Sequence, residues 1–531
     1  MLSDVIEHYQ IIRQSFAPLR LTRWQITKLF AAQVHRDFPV MAKLVLVLAA
    51  VLLFWVASVV TRPKKLERLL KLPVISGSRT VRHDFVDIIE EGHQKYPDTP
   101  YVVNVAGLQY VVYPGSFFDE IKRLSEQEAS AQEFFYQLIY GKWTHVGAET
   151  ESLWKTIAVD LARSIPIKIP AKQKDARIAF DKFIGYCPQW KGITLFDAFM
   201  NIVAMTNACS FVGREVGTGE WAKAVQRLPM ATYVAVMSLS WLPRLLRPVF
   251  QPLLLLPALI VEWNMRRILK PVIQNDIDDY ERALDKKEVL RPKAEGKLPY
   301  TQWLISRYKT GEWSPYQLAT DHILTSFEST ASTSSTLYNI IMDLAVRPDL
   351  QDELRREVQE VLVDGSLPST HLKELRKMDS VMRETFRVNP FSLFSLVRIT
   401  KKPIQLSSGP KLPAGTVICV DSYHINKSGA LFPSPEKFDS ERFIKKRAEP
   451  GAENRFQFVS TGPDSPGWGD GTQACPGRFF ANSVIKICLS HILMNYEVKL
   501  KDGQERPQSI SMPNGIFAPD MAAQVLFKSR D

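Results

Sequence analysis

Cysteine is scarce in this chain: five residues in 531, at Cys187, Cys209, Cys419, Cys475 and Cys488. The set is odd and has no repeated CxxC spacing, so a disulfide framework is excluded and a reducing compartment around the main domain is indicated. Also lacking are internal repeats, low-complexity tracts and any linker that would split the chain into several domains. No basic run interleaves with aromatics. The formal net charge of +11 therefore forms no nucleic-acid stripe, and nucleic acid is not expected as a partner. Charge is missing altogether from one stretch, LVLVLAAVLLFWVASVV at residues 44–60.

That stretch, extended back to residue 40, approaches the ~20 apolar residues of a spanning helix. Lys43 can snorkel to the interface, and Arg62, Lys64, Lys65 and Arg68 follow where anionic lipid headgroups would lie. The segment is too far from Met1 for a cleaved signal peptide, so a retained signal-anchor at 40–61 is expected, preceded by an N-terminal segment, 1–39. Basic residues flank both sides, and the positive-inside rule barely orients it. A second apolar stretch, 241–263, is interrupted by Pro243, Pro248, Pro252 and Pro257. It is expected to dip into the bilayer surface rather than to span.

What remains, 62–531, reads as one continuous domain with enough apolar residues, 45% of the chain against 23% charged, to bury a large core. Helical periodicity dominates, clearest over 318–344 and 350–363. Strand signals are few: 397–406 and 417–423, joined by the turn-rich SSGPKLPAG, predict a small antiparallel element. The fold class is mainly α with minor β.

The richest chemistry lies in Trp468-Gly469-Asp470-Gly471-Thr472-Gln473-Ala474-Cys475-Pro476-Gly477-Arg478-Phe479-Phe480-Ala481, which runs into a helical pattern over 482–496. Glycines around one cysteine let the backbone aim N–H groups at its sulfur, and the following helix presents its positive end to the same atom. Both effects favour the thiolate, a good axial ligand for haem iron whose electron donation favours O–O cleavage. This stretch resembles the haem-binding loop of the cytochrome P-450 superfamily, with Trp468, Gly471, Cys475 and Gly477 at the family's spacing. Trp468 stands where the family usually has phenylalanine. Gln473 stands where a basic residue often meets a haem propionate, so that contact is in doubt.

Further motifs carry the same resemblance. Glu384 and Arg387 lie at i and i+3 on one helix face. With Arg442 of FDSERF (438–443) they resemble the family's Glu-Arg-Arg cluster, which locks the segment before the cysteine loop. Arg398 stands where relatives often place a propionate-binding arginine. The family's Trp-x-x-x-Arg motif is absent, because neither Trp143 nor Trp154 has an arginine four residues on. The stretch 325–334, TSFESTASTS, resembles the oxygen-side helix, where an acid-alcohol pair normally lies over the iron. By letters, Glu328-Ser329-Thr330 fits; by spacing back from Arg347-Pro348, Ala331 takes the acid's place and Ser332 the alcohol's, followed by Thr333. Spacing is preferred. Glu328 lies one turn before Ser332 on the same face, where it either supplies protons through water or faces outward while the hydroxyls merely pack the helix.

The resemblance implies a P-450 fold behind an N-terminal transmembrane helix, of the fungal microsomal type, with haem b held by Cys475. It further implies electrons from NADPH through a flavoprotein reductase, and monooxygenation of a lipophilic secondary-metabolite intermediate, terpenoid or polyketide. Lys445, Lys446 and Arg447 are candidates for docking the reductase. The implied location is the endoplasmic reticulum membrane, single-pass, with the catalytic domain cytosolic and the sequon Asn426-Lys427-Ser428 unmodified. Two alternatives stay open: a haem-thiolate isomerase or dehydratase that needs no dioxygen, and a non-catalytic haem-binding protein.

Overall fold

The computed structural model describes residues 71–75, 85–105, 108–242, 246–288, 291–309, 311–511 and 515–530. The expected N-terminal segment 1–39 and anchor 40–61 lie outside them. The chain divides into two compact units, 1–65 with 242–249 and 66–241 with 250–531; the sheet and the cysteine loop belong to the second.

One mixed sheet uses strands β1 (Val74–Ile75), β2 (Tyr101–Val105), β3 (Leu108–Tyr113), β4 (Ala129–Ser130), β5 (Phe394–Thr400) and β6 (Val417–Asp421). Their order is β1-β2-β3-β6-β5-β4. β3 pairs parallel with β6 (Tyr110↔Val417) and β5 antiparallel with β6 (Arg398↔Ile418). The expected antiparallel element is therefore present, shifted to begin at Phe394 and end at Thr400. Tyr423 falls in a helix instead. Every residue of β6 is buried, as befits a strand covered on both faces. Its alternate side chains feed separate clusters, Ile418 and Val420 on one face, Val417 and Cys419 on the other.

The helices that position the site are α1 (Phe85–Lys95), α2 (Ala162–Phe183), α3 (Leu195–Val212), α4 (Glu220–Trp241), α5 (Arg247–Asp285), α6 (Pro315–Ala345), α7 (Pro348–Val361), α8 (Arg376–Val388), α9 (Ser422–Asn426) and α10 (Arg478–Asn495). α6 starts well for local reasons: Ser314 caps it by accepting from the Gln317 N–H, and Pro315 takes the first turn, where no N–H is needed. α6, α3 and α10 contribute to one large core.

Two helices among the described residues are long and apolar enough to cross a membrane. Leu195–Val212 is almost wholly buried in the protein, as a core helix is. Arg247–Asp285 corrects the expectation that prolines break this region: it runs 39 residues with Pro252, Pro257 and Pro271 inside. Leu253, Leu256, Ile260 and Trp263, spaced three and four apart, form an exposed apolar stripe along it.

Candidate active site

Trp468 opens the cysteine loop and is held on two sides. Its indole N–H donates to the Phe458 carbonyl at 2.8 Å, and its ring packs against Phe386 of α8 and against Phe458, with centroids 5.3 Å away in each case. The Trp468 carbonyl in turn accepts the Cys475 N–H at 2.8 Å, closing the loop. Gly471 is obligatory: φ is +68°, and a Cβ there would lie 2.5 Å from the Lys122 carbonyl oxygen. Gly477 precedes α10, and the N–H groups of Gly477 and Arg478 donate to the Cys475 sulfur. That arrangement is the one expected from the spacing of the glycines.

The thiol itself departs from expectation. Burial pushes it up to about 11, the Glu328 charge adds to the rise, and the two N–H bonds offset only part. The free thiol is therefore protonated at neutral pH, and a metal cation bound there would favour the thiolate. The other four cysteines are fully buried, and Cys475 alone is partly accessible.

Glu384 is completely buried and saturated. Arg387 grips it with two bonds of 2.9 and 2.8 Å, Arg442 Nε meets both its oxygens at 3.1 Å, and the Asp439 N–H adds a bond at 3.0 Å. Arg387 also donates to the Asn426 carbonyl at 2.7 Å, and Arg442 to the Pro433 carbonyl at 2.8 Å. The cluster thus ties α8, α9 and the segment before the cysteine loop together. Asn426 is itself buried, which leaves its sequon inaccessible in the folded domain.

Arg398 lies fifth of seven residues in β5, not at the strand's start. Only 1% exposed, it donates to the carbonyls of Ile121 and Leu124 at 2.8 and 2.7 Å and has no ion pair among the described residues. Burial pulls its guanidinium down to about 10, so it remains charged. Gln473 reaches the same Leu124 carbonyl at 3.3 Å and accepts the Ala131 N–H at 2.8 Å, so it acts as a tether between the loop and the helix beginning at Ala131.

On α6, Glu328 and Ser332 share one face and both carry accessible area. Protein nevertheless surrounds Glu328: burial is the main cause that raises its carboxyl well above the ordinary value, so this face borders an internal cavity. Thr333, about 100° further round, is buried away from it. Glu328 shares a hydrogen bond with Glu149, which also accepts from Gln132 Nε2 at 3.1 Å and the Gly147 N–H at 2.8 Å. Further up the same face, Asp321 accepts from Tyr308 at 2.7 Å, and burial pushes it up to about 6. Neither Glu149 nor Asp321 was foreseeable: Glu149 sits in a distant loop without a motif, and Asp321 reads as ordinary helix polarity. Thr325, Thr330, Ser332, Ser334 and Thr336 each donate their hydroxyl to the carbonyl four residues back, at 2.7–3.2 Å.

Just before Glu328, Ile323, Leu324 and Phe327 line a tight cleft of about 10 Å³ with Leu228, Leu255, Ala258 and Leu259. Its walls are largely apolar, with Thr144, Thr232 and Glu262 as polar exceptions. Of the basic trio proposed for docking, only Lys445 is exposed. Lys446 donates to the Leu431 carbonyl at 3.0 Å and Arg447 lies 3.6 Å from Asp379, so both are engaged inward and the trio is not one surface patch.

A mainly helical domain, a glycine-bounded cysteine at a helix N-terminus and a polar face of a long helix over an internal cavity define a haem-thiolate class of protein. The comparisons narrow the class. The family model described as Cytochrome P450 matches residues 230–527, and the chain belongs to that family. It is 70% identical over 531 residues to cytochrome P450 monooxygenase ffsD of Aspergillus flavipes, covering 100% of each chain. It is 59% identical over 531 residues to cytochrome P450 monooxygenase phmB of Phaeosphaeria nodorum, covering 100% of this chain and 89% of that one. Pyrichalasin C-18 hydroxylase of Pyricularia grisea is 43% identical over 530 residues, with coverage of 99% and 98%. Among solved structures, retinoic acid bound cyanobacterial CYP120A1 shares the fold, with TM-score 0.61, 15% identity and coverage of 84% and 95%. The chain is a haem-dependent monooxygenase.

The residues present fit the group that the family carries, a haem bound through a thiolate and reduced by a redox partner. Arg398 is a buried cation without a carboxylate partner among the described residues. Cys475 is the cysteine at which backbone N–H groups converge. The cavity-facing Glu328 lies within electrostatic reach of its sulfur.

Proposed function

We propose that this enzyme oxidises a lipophilic secondary-metabolite intermediate, terpenoid or polyketide, with haem b held by the Cys475 thiolate. The observation that carries the assignment is that Cys475 is the one cysteine not fully buried, and that it receives two N–H groups at the start of α10. Hydroxylation is the favoured outcome, supported by the name of the Pyricularia grisea relative; epoxidation and multistep oxidation use the same machinery. Bound haem supplies reductive activation of dioxygen and insertion of one oxygen atom into a C–H or C=C bond.

The chain's residues do the rest. Gly477 and Arg478 N–H groups hold the sulfur in place, and Trp468 shields it. Arg398 neutralises a propionate. Gly471 lets the loop pass against Lys122, while Glu384, Arg387 and Arg442 lock the approach to the loop. Glu328, whose burial favours the protonated form, passes protons to the Ser332 hydroxyl, and Glu149 holds the Glu328 carboxyl in position. Thr333 packs the helix.

The apolar side chains of α4, α5 and α6 that meet just before Glu328 form the wall against which a lipophilic substrate packs. The stripe of Leu253, Leu256, Ile260 and Trp263 rests in the bilayer surface, and an anchor at 40–61 precedes the catalytic domain 62–531. The setting is the endoplasmic reticulum membrane with the domain cytosolic, and the electrons come from NADPH through a flavoprotein reductase.

The test is co-expression with such a reductase, feeding of candidate precursors under ¹⁸O-labelled dioxygen, and product analysis. One labelled oxygen per oxidation is expected, dependent on NADPH and lost in Cys475→Ser. Folded, dithionite-reduced protein without a thiolate-type Soret band under carbon monoxide would overturn the proposal.

A further inference from the structure

On α5, turned away from the exposed apolar stripe, Glu262 and Arg266 stand one turn apart. Arg266 grips the Glu262 carboxylate through two nitrogens, at 3.1 and 2.5 Å. The pair then reaches two other parts of the chain. Arg266 donates to the Tyr316 carbonyl at 3.1 Å and to the Thr320 hydroxyl at 3.0 Å, both in the first turns of α6, and its guanidinium lies 3.9 Å from the centroid of the Tyr316 ring. Glu262 Oε1 lies 3.2 Å from Nδ1 of His145, whose Nε2 is 3.4 Å from the Tyr316 hydroxyl. Burial pushes the Glu262 carboxyl up, but its bonds with His145 and Arg266 prevail and hold it below the ordinary value.

This group closes one end of the cleft where α4, α5 and α6 meet, since Glu262 and Thr144, the neighbour of His145, both line it. The cleft holds only about 10 Å³, whereas pockets that take small organic molecules run to roughly 300–1,000 Å³. A guest that enters between α5 and α6 can therefore pass only if α5 parts from α6 and from the segment around His145. Parting a buried ion pair ordinarily strands a charge. Here it does not, because Glu262 and Arg266 lie on one helix at i and i+4 and leave together as a neutral unit. What they leave behind is a carbonyl, a hydroxyl, a phenol ring and the His145 side chain, which at 29% exposure is already within reach of water.

We propose that Glu262 and Arg266, closed against His145 and Tyr316, form a latch that sets how fast lipophilic molecules enter and leave the haem chamber between α5 and α6. The inference rests on the reading of Cys475 as the haem ligand. The contacts that cross the seam are individually modest, the Arg266–Tyr316 stacking among them, so single changes tune the rate without unfolding the domain.

The experiment is stopped-flow binding of clotrimazole, a lipophilic azole that ligates haem iron, to the full-length ferric protein in lipid nanodiscs. The Soret shift is the readout, and cyanide serves as a small ligand that needs no opening. Tyr316→Ala, at a position 58% exposed, removes the ring beside Arg266 and should speed azole association and dissociation by about 2–30-fold, the span of one cation–π contact. Arg266→Gln, which removes the guanidinium's contacts with Tyr316 and Thr320, should do so at least as strongly. Tyr316→Phe keeps the ring and should match wild type. Cyanide should bind all four proteins at one rate, which a generally loosened fold would not give. The proposal is overturned if Tyr316→Ala and Arg266→Gln take up the azole at the wild-type rate, or if cyanide binding accelerates in step with it. Folded wild-type protein in which neither ligand produces a haem spectrum would defeat the haem reading itself, and this inference with it.

Discussion

Replacing Glu384 by glutamine leaves its shape and removes its charge, so that Arg387 and Arg442 remain buried without a counter-ion. Five hydrogen bonds converge on that carboxylate, two from Arg387, two from Arg442 and one from the Asp439 N–H. Breaking a buried pair by removing one partner costs about 3–5 kcal/mol. In a domain of roughly 450 residues, at about 2.1 cal/mol/K each, the unfolding entropy is near 1 kcal/mol/K, so the melting midpoint falls by only ~3–5 °C. Local opening is far more sensitive. The same energy corresponds to a factor of roughly 10² to 10³·⁵ in the opening equilibrium of the segment that Arg442 pins through the Pro433 and Lys437 carbonyls. Hydrogen exchange of amides between residues 434 and 443 is the assay. Exchange in Glu384→Gln should accelerate by at least ~100-fold while helix α3 is nearly unaffected. Exchange within about threefold of wild type would refute the reasoning, and a melting loss of tens of degrees would show that the cluster supports the whole domain rather than one segment. If Glu384→Gln does not accumulate, Arg442→Lys keeps the charge, loses the fork and should show a smaller change of the same kind.

Three further outcomes are expected. Glu328 binds its proton more tightly folded than unfolded, so stability falls as pH rises from the unfolded value of about 4.3 through the raised folded one, by up to ~1.4 kcal/mol per pH unit. Asp321 acts the same way between about 3.9 and 6, so the Glu328 contribution is read by difference: Glu328→Gln should flatten the fall of denaturation midpoints with pH relative to wild type, and parallel profiles would contradict the assignment. Ser332→Ala should lower the fraction of NADPH consumed that appears as product, and unchanged coupling would remove Ser332 from the proton path. Gly471→Ala should cost about 1–3 kcal/mol through positive φ and the clash with the Lys122 carbonyl, seen as a lower thiolate-ligated fraction after purification. Equal loading would show that the loop has room to give.

The sequence was most legible where chemistry and local geometry coincide. The long helices follow from period alone, and α6 and α7 fall within a few residues of expectation; the cysteine loop and the Glu384-Arg387-Arg442 cluster were legible through their resemblance to a known family. It was least legible where partners are distant. Glu149 reaches Glu328 from a loop, and Arg266 reaches Tyr316 from α5; no spacing rule connects either pair. Tertiary burial also reversed two local expectations. Pro252 and Pro257 are accommodated within α5 rather than ending it, and desolvation outweighs the helix N-terminus at the Cys475 thiol. Lys446 and Arg447 turned inward for a related reason: Asp379 and the Leu431 carbonyl lie close enough to capture them.

The hydroxyls of α6 that return to their own helix's carbonyls have a consequence for breadth of substrate. Each competes with the regular ladder and tilts a carbonyl outward, which bends and softens the rod. Five of them in about three turns, four of them buried, make α6 a sprung roof beam behind the face that carries Glu328 and Ser332, able to flex for a bulkier guest. An aliphatic version of the same roof would be stiffer, longer-lived when heated, and choosier about what it admits.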